Sequence, residues 1–285
     1  MRFAFIDAKK AKFPVSDLCR VLKVRRSGYY AWLEREESTH SKDDRLLGLE
    51  VAAVFAEKKK RYGSPRICRE LRTRGLRVCR HRVARLMSER RLRARPRRKF
   101  VRTTDSTHAL PTPPNVLARE FTATEPNRVW AGDVTYLPTR EGWLYLAVLL
   151  DLYSRRVVCW AMSEHNDEAL TLAALRMAVD QRRPEAGLIH HSDRGTTYAS
   201  GSYQDELAKR GFVCSMSRKG DCWDNAVVES FFSTLDIECE NGEMFSSRAA
   251  ARREVTEYIL GFYNPTRLHS TLGYLSPMEY ERAAA

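Results

Sequence analysis

A chain of 285 residues can bury one full-sized core and a smaller one. Its 49 Lys+Arg against 36 Asp+Glu give a formal charge of +13, which favours a polyanionic partner. No apolar run reaches bilayer-spanning length, and 7 Cys without a Cys-x-x-Cys argue against structural zinc or a disulfide framework.

The opening Met1-Arg-Phe-Ala-Phe-Ile lacks a signal peptide's longer apolar region, so a cytoplasmic protein with reduced thiols is expected. Pro14 to Leu22 has a proline start and helical spacing of Val15, Leu18, Val21 and Leu22. Ser27 is a candidate N-cap for a second short helix through Tyr29, Tyr30 and Trp32. Two helices joined in this way suggest a helix-turn-helix, in which Arg25 and Arg26 would reach phosphates; a plain helical hairpin is the alternative. Asp43 to Lys59 reads as one amphipathic helix. A second pair follows, Ile67 to Arg74 and Arg80 to Arg91, broken at Gly75 and opened by Ser64-Pro65. Ile67, Leu71, Val83, Leu86 and Met87 form its apolar stripes, leaving Arg80, Arg82 and Arg85 as candidate DNA contacts.

Charge is concentrated here. Lys58 to Arg102 holds 20 Lys/Arg and 2 Glu, so the rest of the chain is net negative. Positive charge at this density binds a polyanion by releasing its counterions; a solvated helical face is the alternative. We assign 1–102 to a basic, all-α helix-turn-helix region and 103–125 to a Thr/Pro-rich extended linker.

Beyond the linker the pattern changes. Strands are expected at Arg128 to Leu137, Trp143 to Leu150 and Arg156 to Met162, the second nearly all apolar as in a strand covered on both faces. Helix Glu168 to Arg183, strand Leu188 to His191, helix Ser202 to Lys209 and strand Phe212 to Met216 follow. A long helix from about Asp221 and another from Arg248 to Tyr263 close a core over 126–264. The segment 265–285 is a turn-rich tail. Three strands, then helix, strand, helix, strand, helix is the order of the RNase H-like α/β fold.

Three acids stand out in this core. Asp133 lies in a strand, Asp193 ends the short apolar run Gly187-Leu-Ile-His-His-Ser, and Glu229 sits on the helix after Asp224. Two acids at strand ends and one on a helix can converge on a pair of divalent ions, which clamp the attacking and leaving oxygens of a phosphodiester. Hard oxygen ligands favour Mg²⁺ or Mn²⁺. Asn225, one turn before Glu229, is expected to orient it or the substrate, with a helix N-terminal hydrogen bond as the alternative. His191 would either contact the scissile phosphate or pack locally. Arg218 and Lys219, in a basic loop before the helix, are further candidate DNA contacts. Asp151 ends an apolar strand and reads as a structural turn acid.

These acids are flanked by His190-His-Ser-Asp-Arg-Gly195 and Asp224-Asn-Ala-Val-Val-Glu-Ser-Phe-Phe232, with Arg267-Leu-His-Ser-Thr-Leu-Gly-Tyr-Leu-Ser-Pro277 downstream. From Phe13 to Glu281 the chain resembles the DDE transposases of bacterial insertion sequences, more narrowly the OrfB, integrase-like subunit of the IS-three group. The resemblance implies an integrase-type catalytic core in which Asp133, Asp193 and Glu229 bind two metal ions, with Asp133 bridging them. It implies 3′-end cleavage and strand transfer on transposon end repeats and target DNA, in the nucleoid. An OrfA partner or fusion and a homo-oligomer on DNA are also implied. The alternatives are a catalytically weakened DNA-binding remnant and a metal nuclease without strand transfer.

Two positions depart from the family pattern. Thr197 replaces a Gln, and Asp236 replaces the Lys of Phe-x-x-Leu-Lys-x-Glu. Position 236 is two turns after Glu229, where a lysine would meet DNA and an aspartate repels it. Asp236→Lys is therefore expected to raise the rate of strand transfer in an oligonucleotide assay; an unchanged rate would show that the position does not touch DNA.

Overall fold

The computed structural model describes residues 1–95, 112–218, 222–240 and 244–284. The first three helices, α1 (Arg2–Lys9), α2 (Val15–Val21) and α3 (Arg26–Leu33), close around buried Ile6, Cys19 and Tyr29. Helix α1 was not anticipated from the sequence. It contributes Ile6 to this small core and Asp7 as acceptor for the Tyr29 hydroxyl at 3.1 Å.

The basic region forms a three-helix unit of α4 (Thr39–Glu57), α5 (Ser64–Thr73) and α6 (Arg80–Glu89). Ser38 caps α4 by accepting from the Ser41 amide at 3.2 Å, and Pro65 lies in the first turn of α5, where its missing N–H costs no bond. Gly75 adopts φ +86, a left-handed conformation that ends α5 and lets Leu76 N–H bond back to Leu71. Ile67, Leu71, Val83, Leu86 and Met87 are buried, as their spacing predicts.

The second half of the chain is built on five strands in the order β3-β2-β1-β4-β5. Strands β1 (Val129–Thr139), β2 (Gly142–Asp151) and β3 (Val157–Ser163) pair antiparallel; β4 (Ile189–Ser192) and β5 (Val213–Met216) add in parallel beyond β1. This is the expected RNase H-like arrangement, with strand ends within two residues of those read from the sequence. Alternation sends Trp130 and Leu149 to one face, under α7 (Glu168–Arg182), α8 (Thr196–Ala199) and α9 (Gly201–Lys209). It sends Ala131, Leu146 and Val148 to the other, under α10 (Ala226–Leu235) and α11 (Arg248–Tyr258).

Several helix boundaries differ from the expectation. The helix bearing Glu229 starts at Ala226, after a 3₁₀ turn at Cys222–Asn225, and widens into a π turn at Asp236–Glu240. Helix α11 likewise passes into a π turn at Ile259–Tyr263. The tail is not only turns: it carries α12 (Pro277–Ala284), which Glu281 ties to Arg156 at 2.6 Å and to Arg182 at 2.9 Å.

The basic unit is packed on this second half. One continuous apolar cluster runs from Val51, Ile67 and Leu71 to Phe231, Val255 and Phe262. A buried polar centre sits at this junction. Glu238, on the π turn after α10, accepts from Arg267 Nε at 2.8 Å and Nη2 at 2.9 Å, and from the Tyr258 hydroxyl at 2.9 Å. Tyr62 donates to the Thr266 carbonyl and accepts from the Leu268 amide, and Arg66 donates to the Leu268 carbonyl at 2.9 Å. Removing one partner of a buried ion pair strands the other charge. Arg267→Met is therefore expected to lose about 3 kcal/mol of stability, read from urea denaturation; a loss within experimental error would show that Tyr258 and Arg66 suffice to hold Glu238.

Candidate active site

The site is assembled by one strand pairing. In the parallel register of β1 with β4, Gly132 stands opposite Ser192, so the residue after each, Asp133 and Asp193, leave side by side. Backbone amides fix both carboxylates: Asp133 accepts from Val134 N–H at 2.8 Å, and Asp193 from Gly195 N–H at 2.9 Å. Gly132 permits this close packing, because a Cβ there would come within 2.9 Å of Leu149 Cδ2 and 3.3 Å of His190 Nε2. Glu229 enters from the first turn of α10, over the same face as Ala131.

The three carboxylates feel one another. Burial, then the charges of Asp193 and Glu229, hold Asp133 well above the usual carboxylate range. Burial and the Asp193 charge raise Glu229 in the same direction. Among the described residues, no three His, Cys, Asp or Glu side chains stand ready at metal-ligating distance. The arrangement is that of neighbouring anions, each partly exposed, whose hard oxygen donors fit a divalent cation of the Mg²⁺ class and whose repulsion such a cation would relieve.

The neighbouring residues surround the carboxylates in distinct ways. Asn225 is the N-cap residue of α10 and makes no capping bond with its side chain. Its amide instead reaches the Gly132 carbonyl at 3.5 Å, next to Asp133, and its buried Oδ1 has no partner. It thus joins the Glu229 helix to the Asp133 strand. His191 is fully buried, with Nδ1 2.9 Å from Ser215 Oγ and Nε2 3.3 Å from Ser217 Oγ. Burial lowers its pKa to about 4, and both ring nitrogens face protein hydroxyls, which is the local packing expected as one of its two roles. Asp151 is the turn acid expected, buried and accepting from the amides of Asn127 at 2.7 Å and Tyr153 at 2.8 Å.

Asp224 had not been singled out. It is fully buried at the base of α10 and accepts from Arg218 Nε at 3.0 Å and Nη2 at 2.9 Å, from Arg119 Nε at 2.9 Å and from Asn115 at 2.9 Å. Those bonds hold it below the ordinary carboxylate range. An acid so close to a catalytic candidate, with arginines upstream, was the available signal. Arg218, a candidate DNA contact, is thus paired with Asp224, and Lys219 lies outside the described residues.

Similar pairing occurs in the basic helices. Arg82 Nε contacts Asp44 at 2.7 Å, and Arg85 pairs with the other oxygen of Asp44 and with Glu89 at 2.8 Å. These bonds lower Asp44 to about 2 and turn both arginines toward α4. Arg80 is exposed on α6 together with His81, Ala84 and Ser88, and Arg25 and Arg26 are exposed on the first unit.

Residues 123–222 and 210–277 match integrase core domain families, and residues 41–100 match an HTH-like domain. Over 283 residues the chain is 44% identical to the transposase InsF for insertion sequence IS3A of Escherichia coli K12, covering 99% of this chain and 98% of that protein. The chain belongs to the IS3-family insertion-sequence transposases. It is also 45% identical over 263 residues to an uncharacterized 31 kDa protein of insertion element IS600 from Shigella sonnei, covering 92% of this chain and 97% of that one. The HTLV-2 integrase catalytic core domain, solved with magnesium, overlaps 56% of this chain and 99% of its own at 15% identity with a TM-score of 0.43. That overlap is loose, and the fold assignment rests on the strand order and the integrase core match.

The transposase is thus a DNA-acting enzyme of the polynucleotidyl transferase superfamily, and no described helix is long and apolar enough to cross a membrane. Arg80 and Arg85 are both exposed on α6, Arg85 with its guanidinium paired to Asp44 and Glu89. Arg80→Ala is expected to weaken duplex binding about tenfold and to reduce the salt slope by about one. Arg85→Ala, compared at equal folded fraction, should change it by no more than roughly twofold, since its guanidinium is already paired. Equal losses in a fluorescence anisotropy titration would show that the Asp44 pairs open on DNA.

Proposed function

We propose that Asp133, Asp193 and Glu229 are the catalytic carboxylates and together hold two Mg²⁺ or Mn²⁺ ions. The β1–β4 register that sets Asp133 beside Asp193, with Glu229 in the first turn of the helix packed over that face, carries this reading; burial and then the Asp193 charge raise Asp133 and Glu229 together. Bound there, the ions would supply Lewis-acid stabilisation of the reacting phosphodiester. The chain's own part is positional. Strands β1 and β4 fix two carboxylates, α10 brings the third, and Asn225 ties that helix to the strand.

The reaction proceeds in two displacements at phosphorus. In the first, water oxygen bonds to the phosphorus at the transposon end, the bond to the 3′ oxygen breaks, and that oxygen takes up a proton. In the second, the freed 3′-hydroxyl loses its proton and attacks a target phosphodiester, forming one P–O bond as another breaks. Neither displacement requires a covalent protein intermediate or a nucleotide cofactor. Residues 1–102 would recognise the end repeats, with 103–125 linking them to the core at 126–264 and the tail at 265–285. The family relationship supports an OrfA partner or fusion, which would supply a further helix-turn-helix and a zipper for a homo-oligomer on nucleoid DNA.

The test is an oligonucleotide assay on the element's own terminal repeats with Mg²⁺ or Mn²⁺, comparing wild type with Asp193→Asn. Joined product from wild type, and a loss of about 10³-fold or more in the variant, is expected for a carboxylate that stabilises the transition state. Cleavage without joining would favour the nuclease reading. Binding with neither product, even with the OrfA fusion, would leave a DNA-binding remnant.

A further inference from the structure

The helix carrying Glu229 is held at both ends by residues that precede the integrase core. At its base, Asp224 accepts from Asn115 and Arg119 of the segment entering the core. At its far end, the Glu238 carbonyl on the π turn accepts from Arg61 Nε at 2.9 Å and Arg95 Nη1 at 2.7 Å. The Glu238 carboxylate lies 3.5 Å from Arg66. All three arginines belong to the basic helical region. Carbonyls at a helix end lack intrahelical donors, so these arginines set where that end can rest. The Arg61 guanidinium is itself braced 4.3 Å from the centre of the Phe262 ring.

We infer that Arg61 and Arg95 are positioning residues for Glu229, coupling the seating of the basic region to completion of the carboxylate trio. The inference rests on Glu229 being a metal ligand. Helix α10 is packed sideways by Val228, Phe231 and Leu235, which limits tilt, while sliding along the axis is restrained at the two ends, where Arg61 and Arg95 act together with Arg218 on Asp224 and with Arg267 and Tyr258 on the Glu238 carboxylate. A small axial shift moves the Glu229 carboxylate relative to Asp133 and Asp193, which stand on the sheet and do not move with it. Neither arginine touches the carboxylates; both act through the helix.

The experiment uses the full chain with Arg95→Met, Arg95→Lys and Arg61→Gln. Thermal melting checks folding, electron paramagnetic resonance measures Mn²⁺ binding without DNA, and cleavage of a terminal-repeat duplex gives kcat and KM. Arg95→Met and Arg61→Gln are expected to bind Mn²⁺ about tenfold more weakly and to lose kcat by about the same factor, as expected when a ligand's outer support is removed. Their KM for the duplex should stay within about twofold, because no transition-state-independent binding is lost. Arg95→Lys, which keeps one donor for the Glu238 carbonyl, should recover most of the loss. If Arg95→Met fails to melt cooperatively, Arg61→Gln decides alone. Unchanged Mn²⁺ affinity, or a rise in KM with kcat intact, would overturn the inference, the latter by making the arginines DNA contacts. Asp193→Asn runs alongside: if it cleaves like wild type, the carboxylate assignment fails, whatever the arginine variants do.

Discussion

Parallel pairing of β1 with β4 is the constraint on which the site depends. Strand β1 lies centrally, bonded antiparallel to β2 on one side and parallel to β4 on the other. Only that parallel neighbour brings a chain segment 60 positions distant to the flank of Asp133. A one-residue slip would turn Asp193 to the opposite face, among Trp130, Tyr203 and Leu207. Apolar residues on both faces of the sheet fix the register, and Gly132 lets His190 and Leu149 approach closely enough to hold it.

Charge is used in two ways. At the candidate site, three carboxylates are gathered on one face, where burial and their mutual repulsion raise Asp133 and Glu229. Around it, acids and arginines are paired with little left over. Asp44 takes Arg82 and Arg85, Asp224 takes Arg119 and Arg218, and Glu238 takes Arg267. The Asp44 pairs hold α6 against α4, while the Asp224 and Glu238 pairs tie the entering segment and the tail to the two ends of the helix that bears Glu229.

That knitting changes the relation between the two halves. A linker read from Thr and Pro implies independent modules, whereas Val51, Tyr62 and Ile67 are buried in the same cluster as Tyr258 and Phe262. Interfaces of this kind, apolar with buried polar contacts across them, have few alternative seatings, because any other seating takes Tyr62 and Arg66 away from the Thr266 and Leu268 backbone groups they bond.

The sequence by itself determined the strands of the sheet and the helix-turn-helix, because each is written in local pattern. Alternation sets strand faces, a 3.6-residue period sets the stripe of Ile67 and Leu71, and an acid after an apolar run marks the end of a strand. Asp151 was read correctly for the same reason. Tertiary structure alone decided the partners. Arg82, Arg85 and Arg218 read in the sequence as candidate DNA contacts; the fold sets Asp44, 38 and 41 positions before the first two, and Asp224, 6 after the third, against their guanidiniums. His191 looks available until Ser215 and Ser217, on the neighbouring strand and just beyond it, close both ring nitrogens. The π turn at Asp236–Glu240 has no local signature either, since its carbonyls are satisfied by arginines more than a hundred residues away. Period and propensity are properties of neighbours in the chain, while the pairing of a charge depends on what the fold brings within about 3 Å of it.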